Sequence, residues 1–261
     1  MSRQPVLFLG HGSPMNAIEE NVFVEGFRKI GSQLSRPKAI LCISAHWESY
    51  GTKVTTALKP RTIHDFGGFP QTLFEVQYPA PGSPALAEEI CRLVTSTTVF
   101  PDTDWGLDHG CWSVVKHLYP NADVPVVQLS LDDRKTPIQH LALAKELAVL
   151  RDQDILIIGS GNLVHNLRMI AWDRMEPGSE PFDWAVEASE GLKKRILDQD
   201  LDGLCKITTL GKAYQLAIPT AEHFLPLLYV MGAASEDETI TLFNDSTVGG
   251  SLSMTSVSVG L

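Results

Sequence analysis

Val6-Leu7-Phe8-Leu9-Gly10-His11-Gly12-Ser13-Pro14 is the stretch whose reading decides the fold. A short apolar run bounded by turn formers reads as a buried strand. It stops in Gly-His-Gly-Ser-Pro, where two glycines let the backbone bend and the proline keeps the strand from continuing. A histidine held between glycines at such a strand end has little to contribute to packing. The pattern recurs at Ala39-Ile40-Leu41-Cys42-Ile43-Ser44, which runs into Ala45-His46-Trp47-Glu48. Two strand ends, each delivering one imidazole, point to a shared polar site.

Outward from these strands, the chain alternates strand and helix signals. Helical periodicity is expected over residues 21–34, 84–95, 111–118, 136–150, 182–197 and 220–232. Further strands are expected at 52–57, 98–100, 124–129 and 155–158, and a final pair at 239–243 and 254–259 joined by a Gly249-Gly250 turn. Residues 58–83 carry little periodicity and many turn formers, and a loop of that length inside a compact domain is more often functional than idle. The alternation predicts an α/β fold, a single domain over residues 1–261 with a largely parallel, mixed central sheet flanked by helices. No linker, repeat or low-complexity segment divides it. In such sheets ligands sit outside the carboxyl ends of the strands, and His11, His46 and the Gly159-Ser160-Gly161-Asn162 turn all fall at that edge.

Composition narrows the function classes. With 44% hydrophobic residues in 261, the chain can bury a sizeable core. A net charge of −10 and the lack of any Lys/Arg cluster exclude nucleic acid and anionic membrane as partners. The four cysteines, Cys42, Cys91, Cys111 and Cys205, are too scattered for a zinc ribbon and read as reduced thiols of a cytoplasmic protein. No signal peptide or membrane span is expected. A small-molecule partner remains, and the composition is compatible with a homo-oligomer.

Eight histidines are present. His11, His46 and His109 sit in polar or glycine-rich turns, His165 follows the Gly-Ser-Gly-Asn turn, and His223 sits beside Glu222 at an expected helix start. His117 and His140 lie within helical stretches and His64 in the long loop. Single histidines are commonly hydrogen-bonded structural residues. Five at element ends on one edge suit a mononuclear metal site with open positions, as in catalytic zinc or iron(II) centres. Either Glu222 or His223 could ligate, but adjacent helical residues point about 100° apart and do not both reach one ion. The plainer role for Glu222 is a first-turn carboxylate favouring the helix dipole. Glu48 is either an orienting carboxylate or a solvated surface group. Rival chemistries are weaker: there is no H-E-x-x-H, Ile158 and Asn162 break the G-x-S-x-G pattern, and a third dinucleotide-fingerprint glycine is missing. Ser13 before Pro14 reads as a turn hydroxyl rather than a nucleophile.

The ordered motifs Gly10-His11-Gly12-Ser13-Pro14, Ser44-Ala45-His46-Trp47-Glu48, His64-Asp65-Phe66-Gly67-Gly68-Phe69-Pro70, Tyr78-Pro79-Ala80-Pro81-Gly82, Asp108-His109-Gly110, Gly159-Ser160-Gly161-Asn162-Leu163-Val164-His165-Asn166 and Pro219-Thr220-Ala221-Glu222-His223 resemble the DOPA 4,5-dioxygenase family. That family lies within the class III extradiol ring-cleaving dioxygenases, related to the catalytic subunit of protocatechuate 4,5-dioxygenase. The resemblance spans essentially the whole chain. It implies a non-haem enzyme that inserts O2 into a catechol and opens the ring. It implies His11, His46 and His223 as metal ligands, with Glu222 as the competing third ligand because the protocatechuate branch uses glutamate there. It implies His165 as acid/base, also able to approach the metal, and His109 as a hydrogen-bonding partner of substrate or oxygen. Ser13, Trp47, Tyr78, Glu48 and the Phe66–Phe69 loop are the candidate substrate contacts, Tyr78, Trp47 and the two phenylalanines with loop anchoring as the alternative. Iron(II) is the cofactor expected for activity. Zinc(II) suits the same imidazoles, so a zinc-binding homologue with hydrolytic or no activity is the other reading.

Overall fold

The computed structural model describes residues 3–261. Among the described residues ten strands follow one another: β1 (Val6–Gly10), β2 (Ala39–Ser49), β3 (Thr52–Thr55), β4 (Val99–Asp102) and β5 (Val126–Asp132). After them come β6 (Ile155–Gly161), β7 (Ile240–Phe243), β8 (Thr247–Val248), β9 (Leu252–Ser253) and β10 (Ser256–Val259). Eight join in one sheet, ordered β4-β3-β5-β2-β6-β1-β10-β7, and β8 with β9 forms a separate hairpin. The four central strands β5, β2, β6 and β1 run parallel, while β10 and β7 extend the sheet antiparallel.

Helices cover both faces, and this is why the central strands are apolar throughout rather than alternating. Val6 and Phe8, Leu41 and Ile43, and Ile157 pack toward the helices Pro137–Leu147 and Leu225–Ala233. Their neighbours Leu7, Leu9, Ile40, Leu156 and Ile158 pack toward Val22–Gly31 and His109–Leu118. Each fully buried side chain of this kind contributes on the order of 1.5–3 kcal/mol. A strand apolar on both faces is not held in register by its hydrophobic pattern; close backbone approach holds it instead. A Cβ at Gly159 would stand 2.4 Å from the Pro226 carbonyl oxygen, and one at Gly161 would stand 2.1 Å from that of His223. Glycine at these two positions of β6 lets the helix Leu225–Ala233 and the turn before it lie directly on the strand.

Several boundaries differ from expectation. β2 continues to Ser49 instead of ending at Ser44, with a register irregularity against β5 between Ile43 and Glu48. His46 therefore sits within the strand, at a bulge of the kind that re-aims side chains. The helix expected over 220–232 begins at Leu225, because residues 219–224 form a turn whose His223 carbonyl accepts from Asn162 N. Gly249-Gly250 does not join β7 to β10; those strands do pair, but the two glycines, both at positive φ, turn the β8–β9 hairpin. The short helices Leu201–Cys205 and Lys212–Ala217 carry too few residues to show a period. Among the described residues no helix is long and apolar enough to cross a membrane.

Candidate metal centre and active site

The carboxyl ends of β1, β2 and β6 bring the turn histidines together. The backbone N–H of His11 donates to Gly161 O at 3.1 Å, continuing the β1–β6 ladder. The chain then turns through Gly12 at φ 61°, a left-handed conformation that suits glycine. His46 comes from the bulged part of β2. His109 opens the helix His109–Leu118 because Asp108 caps it, accepting from Cys111 N at 3.0 Å. The buried Asp108 carboxylate also accepts from Ser44 Oγ at 2.7 Å and Gln128 Nε2 at 2.7 Å, tying the helix start to β2 and β5. A Cβ on Gly110 would stand 2.4 Å from Ser44 Oγ and 2.7 Å from His46 Cδ2, so only glycine admits the ring of His46 there.

Nε2 of His11 lies 3.1 Å from Nε2 of His46. The Nδ1 of each ring faces an acceptor. Ser160 Oγ donates its own proton to Gly110 O at 2.5 Å, so it accepts from His11 Nδ1 at 3.0 Å. Asp65 Oδ2 stands 3.4 Å from His46 Nδ1 and 2.9 Å from His109 Nδ1, while Asp65 Oδ1 accepts from His109 N at 2.9 Å. With the protons on Nδ1, two Nε2 lone pairs point at one another, an arrangement that a cation between or beside them relieves.

The third side of the site carries His223, whose ring centroid is 5.3 Å from that of His11 and 5.1 Å from that of His46. Its Nδ1 donates to Glu222 Oε1 at 3.0 Å, which also accepts from Thr220 Oγ1 at 2.8 Å. One oxygen of Glu222 thereby orients its neighbour. Against the burial that raises it, the hydrogen bond from His223 leads the effects that hold the Glu222 carboxyl at about 2. The ring of His165 stacks on that of His223, centroids 3.5 Å apart and planes 6° apart. Candidate ligand atoms fall in two groups, His11, His46 and His109, and His165, Glu222 and His223, each with donors within 4.8 Å of one another. The groups share one continuous site.

The electrostatics favour neutral imidazoles. Burial first, then the neighbouring rings, push His11 and His46 well below the ordinary histidine value. Burial and the adjoining His223 bring His165 down to about 3. Neutral imidazole is the form that ligates a metal or accepts a proton.

Other expected contacts land elsewhere. Tyr78 is buried with the core residues Trp112 and Leu73, and its hydroxyl donates to Tyr119 O at 2.8 Å, which removes it from the substrate wall. Trp47 is buried and stacked on Trp105, centroids 5.3 Å apart, so it too anchors structure instead of facing the histidines. Phe66 does reach the site, edge-on to His109 at 5.5 Å. Ser13 Oγ accepts from Met15 N at 3.2 Å, a turn hydroxyl beside a cleft. Glu48 keeps much of its surface in solvent, and partial desolvation of its carboxyl followed by the Glu222 and Asp133 carboxylates raises its pKa. His64 is a structural residue, its Nε2 2.9 Å from Val76 O. Asp65, Ser160, Asp108 and Gln128 were not among the expected site residues. Asp65, Asp108 and Ser160 stand in motifs quoted from the sequence, but nothing local there names their partners, and Gln128 carries no signal at all.

Known proteins resemble this chain over nearly its whole length. A 4,5-DOPA dioxygenase extradiol of Escherichia coli is 46% identical, over 99% of this chain and 96% of that protein. A protein of the same name from Beta vulgaris is 39% identical, over 94% of this chain and 92% of that protein. The crystal structure of an uncharacterized Escherichia coli protein superposes with a TM-score of 0.86 at 41% identity, covering 99% of this chain and all of that one. The family described as the catalytic LigB subunit of aromatic ring-opening dioxygenase matches residues 4–256, and the chain belongs to it.

Proposed function

We propose that this ring-opening extradiol dioxygenase acts on a DOPA-like catechol and O2, with iron(II) held by His11, His46 and His223. The observation that carries the metal is the 3.1 Å approach of two Nε2 atoms whose Nδ1 positions face acceptors. The substrate class rests on the two relatives named for DOPA. Iron(II) held by His11, His46 and His223 would supply the electron density that O2 needs.

Ser160 and Glu222 hold the tautomers of His11 and His223 with the Nε2 lone pairs inward, and Asp65 Oδ2 stands 3.4 Å from His46 Nδ1 on the same side. His165, neutral at physiological pH, takes a proton from the catechol hydroxyl and returns one as the ring opens. An anionic substrate beside it raises its basicity from the value in the bare protein. His109, with Asp65 at its Nδ1, keeps Nε2 free to hydrogen-bond substrate or oxygen. Phe66, edge-on to His109, covers that side of the site with apolar surface. The four free cysteines fit a cytoplasmic setting.

Zinc suits the same nitrogens but passes no electron to O2. The test is anaerobic reconstitution with iron(II), followed by DOPA and air, with a zinc-loaded sample alongside. Oxygen uptake and a yellow ring-opened product with iron alone are expected. No turnover of DOPA or of simpler catechols, with zinc tightly retained, would overturn the iron assignment.

A further inference from the structure

A cleft of about 450 Å³ opens beside Ser13, two residues beyond His11. Its other wall belongs to the segment that leaves the sheet after His165: Met175 and Glu176 line it, as does Leu252, whose backbone bridges to that of His165. The backbone of this segment is clamped to the β8–β9 hairpin, Ala171 N donating to Gly249 O at 2.8 Å and Gly249 N to Arg174 O at 2.9 Å. The cleft thus lies between the segments that carry two of the site histidines, and Met254, packed against Gly12, forms its floor with Phe23.

The lining has a definite chemistry. Met15, Phe23, Met254 and Leu252 supply apolar surface, and Glu19 and Glu176 supply two exposed carboxylates. No lysine, arginine or histidine lines it. Neither carboxylate is in an ion pair among the described residues. Apolar walls with unpaired negative charge at the rim suit a short carbon chain ending in a cation and disfavour one ending in a carboxylate.

We propose that this cleft seats the side chain of the substrate and selects catechols whose tail ends in an ammonium group. The proposal rests on the dioxygenase reading above. Because no cation waits for a carboxylate, an arylethylamine tail fits at least as well as that of an amino acid, and an arylacetate tail fits poorly.

The experiment compares kcat/KM of the iron-loaded enzyme for dopamine, 3,4-dihydroxyphenylacetate and 4-methylcatechol. The amine is expected to exceed the acid, and Glu19→Gln with Glu176→Gln is expected to lower the ratio of amine to 4-methylcatechol about five- to tenfold. Equal use of amine and acid, or an unchanged ratio in the double variant, overturns the cleft assignment while leaving the dioxygenase standing. Failure to cleave all three catechols strikes at the dioxygenase reading instead. Binding of tyramine against 4-hydroxyphenylacetate, followed by calorimetry, then reads the cleft without turnover, and equal binding overturns the assignment.

Discussion

Oδ2 of Asp65 lies 2.9 Å from Nδ1 of His109, and Oδ1 of the same carboxylate accepts from the His109 backbone at 2.9 Å. A single carboxylate from the long loop thus lies against both the side chain and the main chain of one residue. His46 Nδ1 stands 3.4 Å from it as well. Asp65→Asn keeps the shape but offers an amide where an acceptor is required. Loss of such an orienting partner lowers activity or metal affinity by about 10–100-fold. Steady-state kinetics with metal analysis of Asp65→Asn checks this, and wild-type values for both would show that the carboxylate orients nothing.

Alanine at each ligand position separates metal binding from proton handling. His11→Ala, His46→Ala and His223→Ala are expected to lose stoichiometric iron while keeping a native circular dichroism spectrum. His109→Ala and His165→Ala are expected to keep the metal and lose ring cleavage. Full iron content in His223→Ala together with its loss in His109→Ala would move the third ligand to His109, which shares a donor group with His11 and His46.

Acid should destabilise the metal-free protein. The folded pKa of His165 is depressed to about 3, so between that value and the unfolded pKa near 6.5 the unfolded chain binds a proton that the folded one does not. Stability is therefore fully present above pH ~6.5 and is lost as pH falls toward 3. His11 and His46 act in the same direction. Calorimetric Tm should fall between pH 7 and pH 5, and less steeply in His165→Gln. A Tm independent of pH over that interval would contradict the buried neutral imidazoles.

Tyr78→Phe removes a buried hydroxyl that donates to the Tyr119 carbonyl. The expected cost is about 1 kcal/mol of stability, with KM for any catechol unchanged. Urea unfolding beside kinetics tests it; a raised KM with unchanged stability would return Tyr78 to the substrate wall.

The central sheet was legible because β1, β2 and β6 are buried on both faces and carry unbroken apolar runs, which few other structures produce. The site histidines were legible because glycine and polar turns around His11 and His109 have no packing rationale. Asp65 was not, since its partners lie 19 and 44 positions away and no local pattern encodes them. Tyr78 misled for a related reason: an aromatic in an aperiodic loop looks available to a ligand until the loop folds inward. The start of the last helix was misplaced because the turn before it is set by the Asn162 to His223 backbone hydrogen bond, a contact made across the molecule.

The seat of His223 on Gly161 also has a consequence in time. The turn bearing His223 rests directly on the backbone of a central strand, without a side chain between that could swing aside. The backbone of that turn moves only by lifting from the sheet, a sub-global opening rather than a rotamer change. Such openings are slow and rare compared with side-chain motion. The amide of Asn162, whose N–H donates to the His223 carbonyl at 2.9 Å, should therefore exchange with solvent only at the pace of that opening.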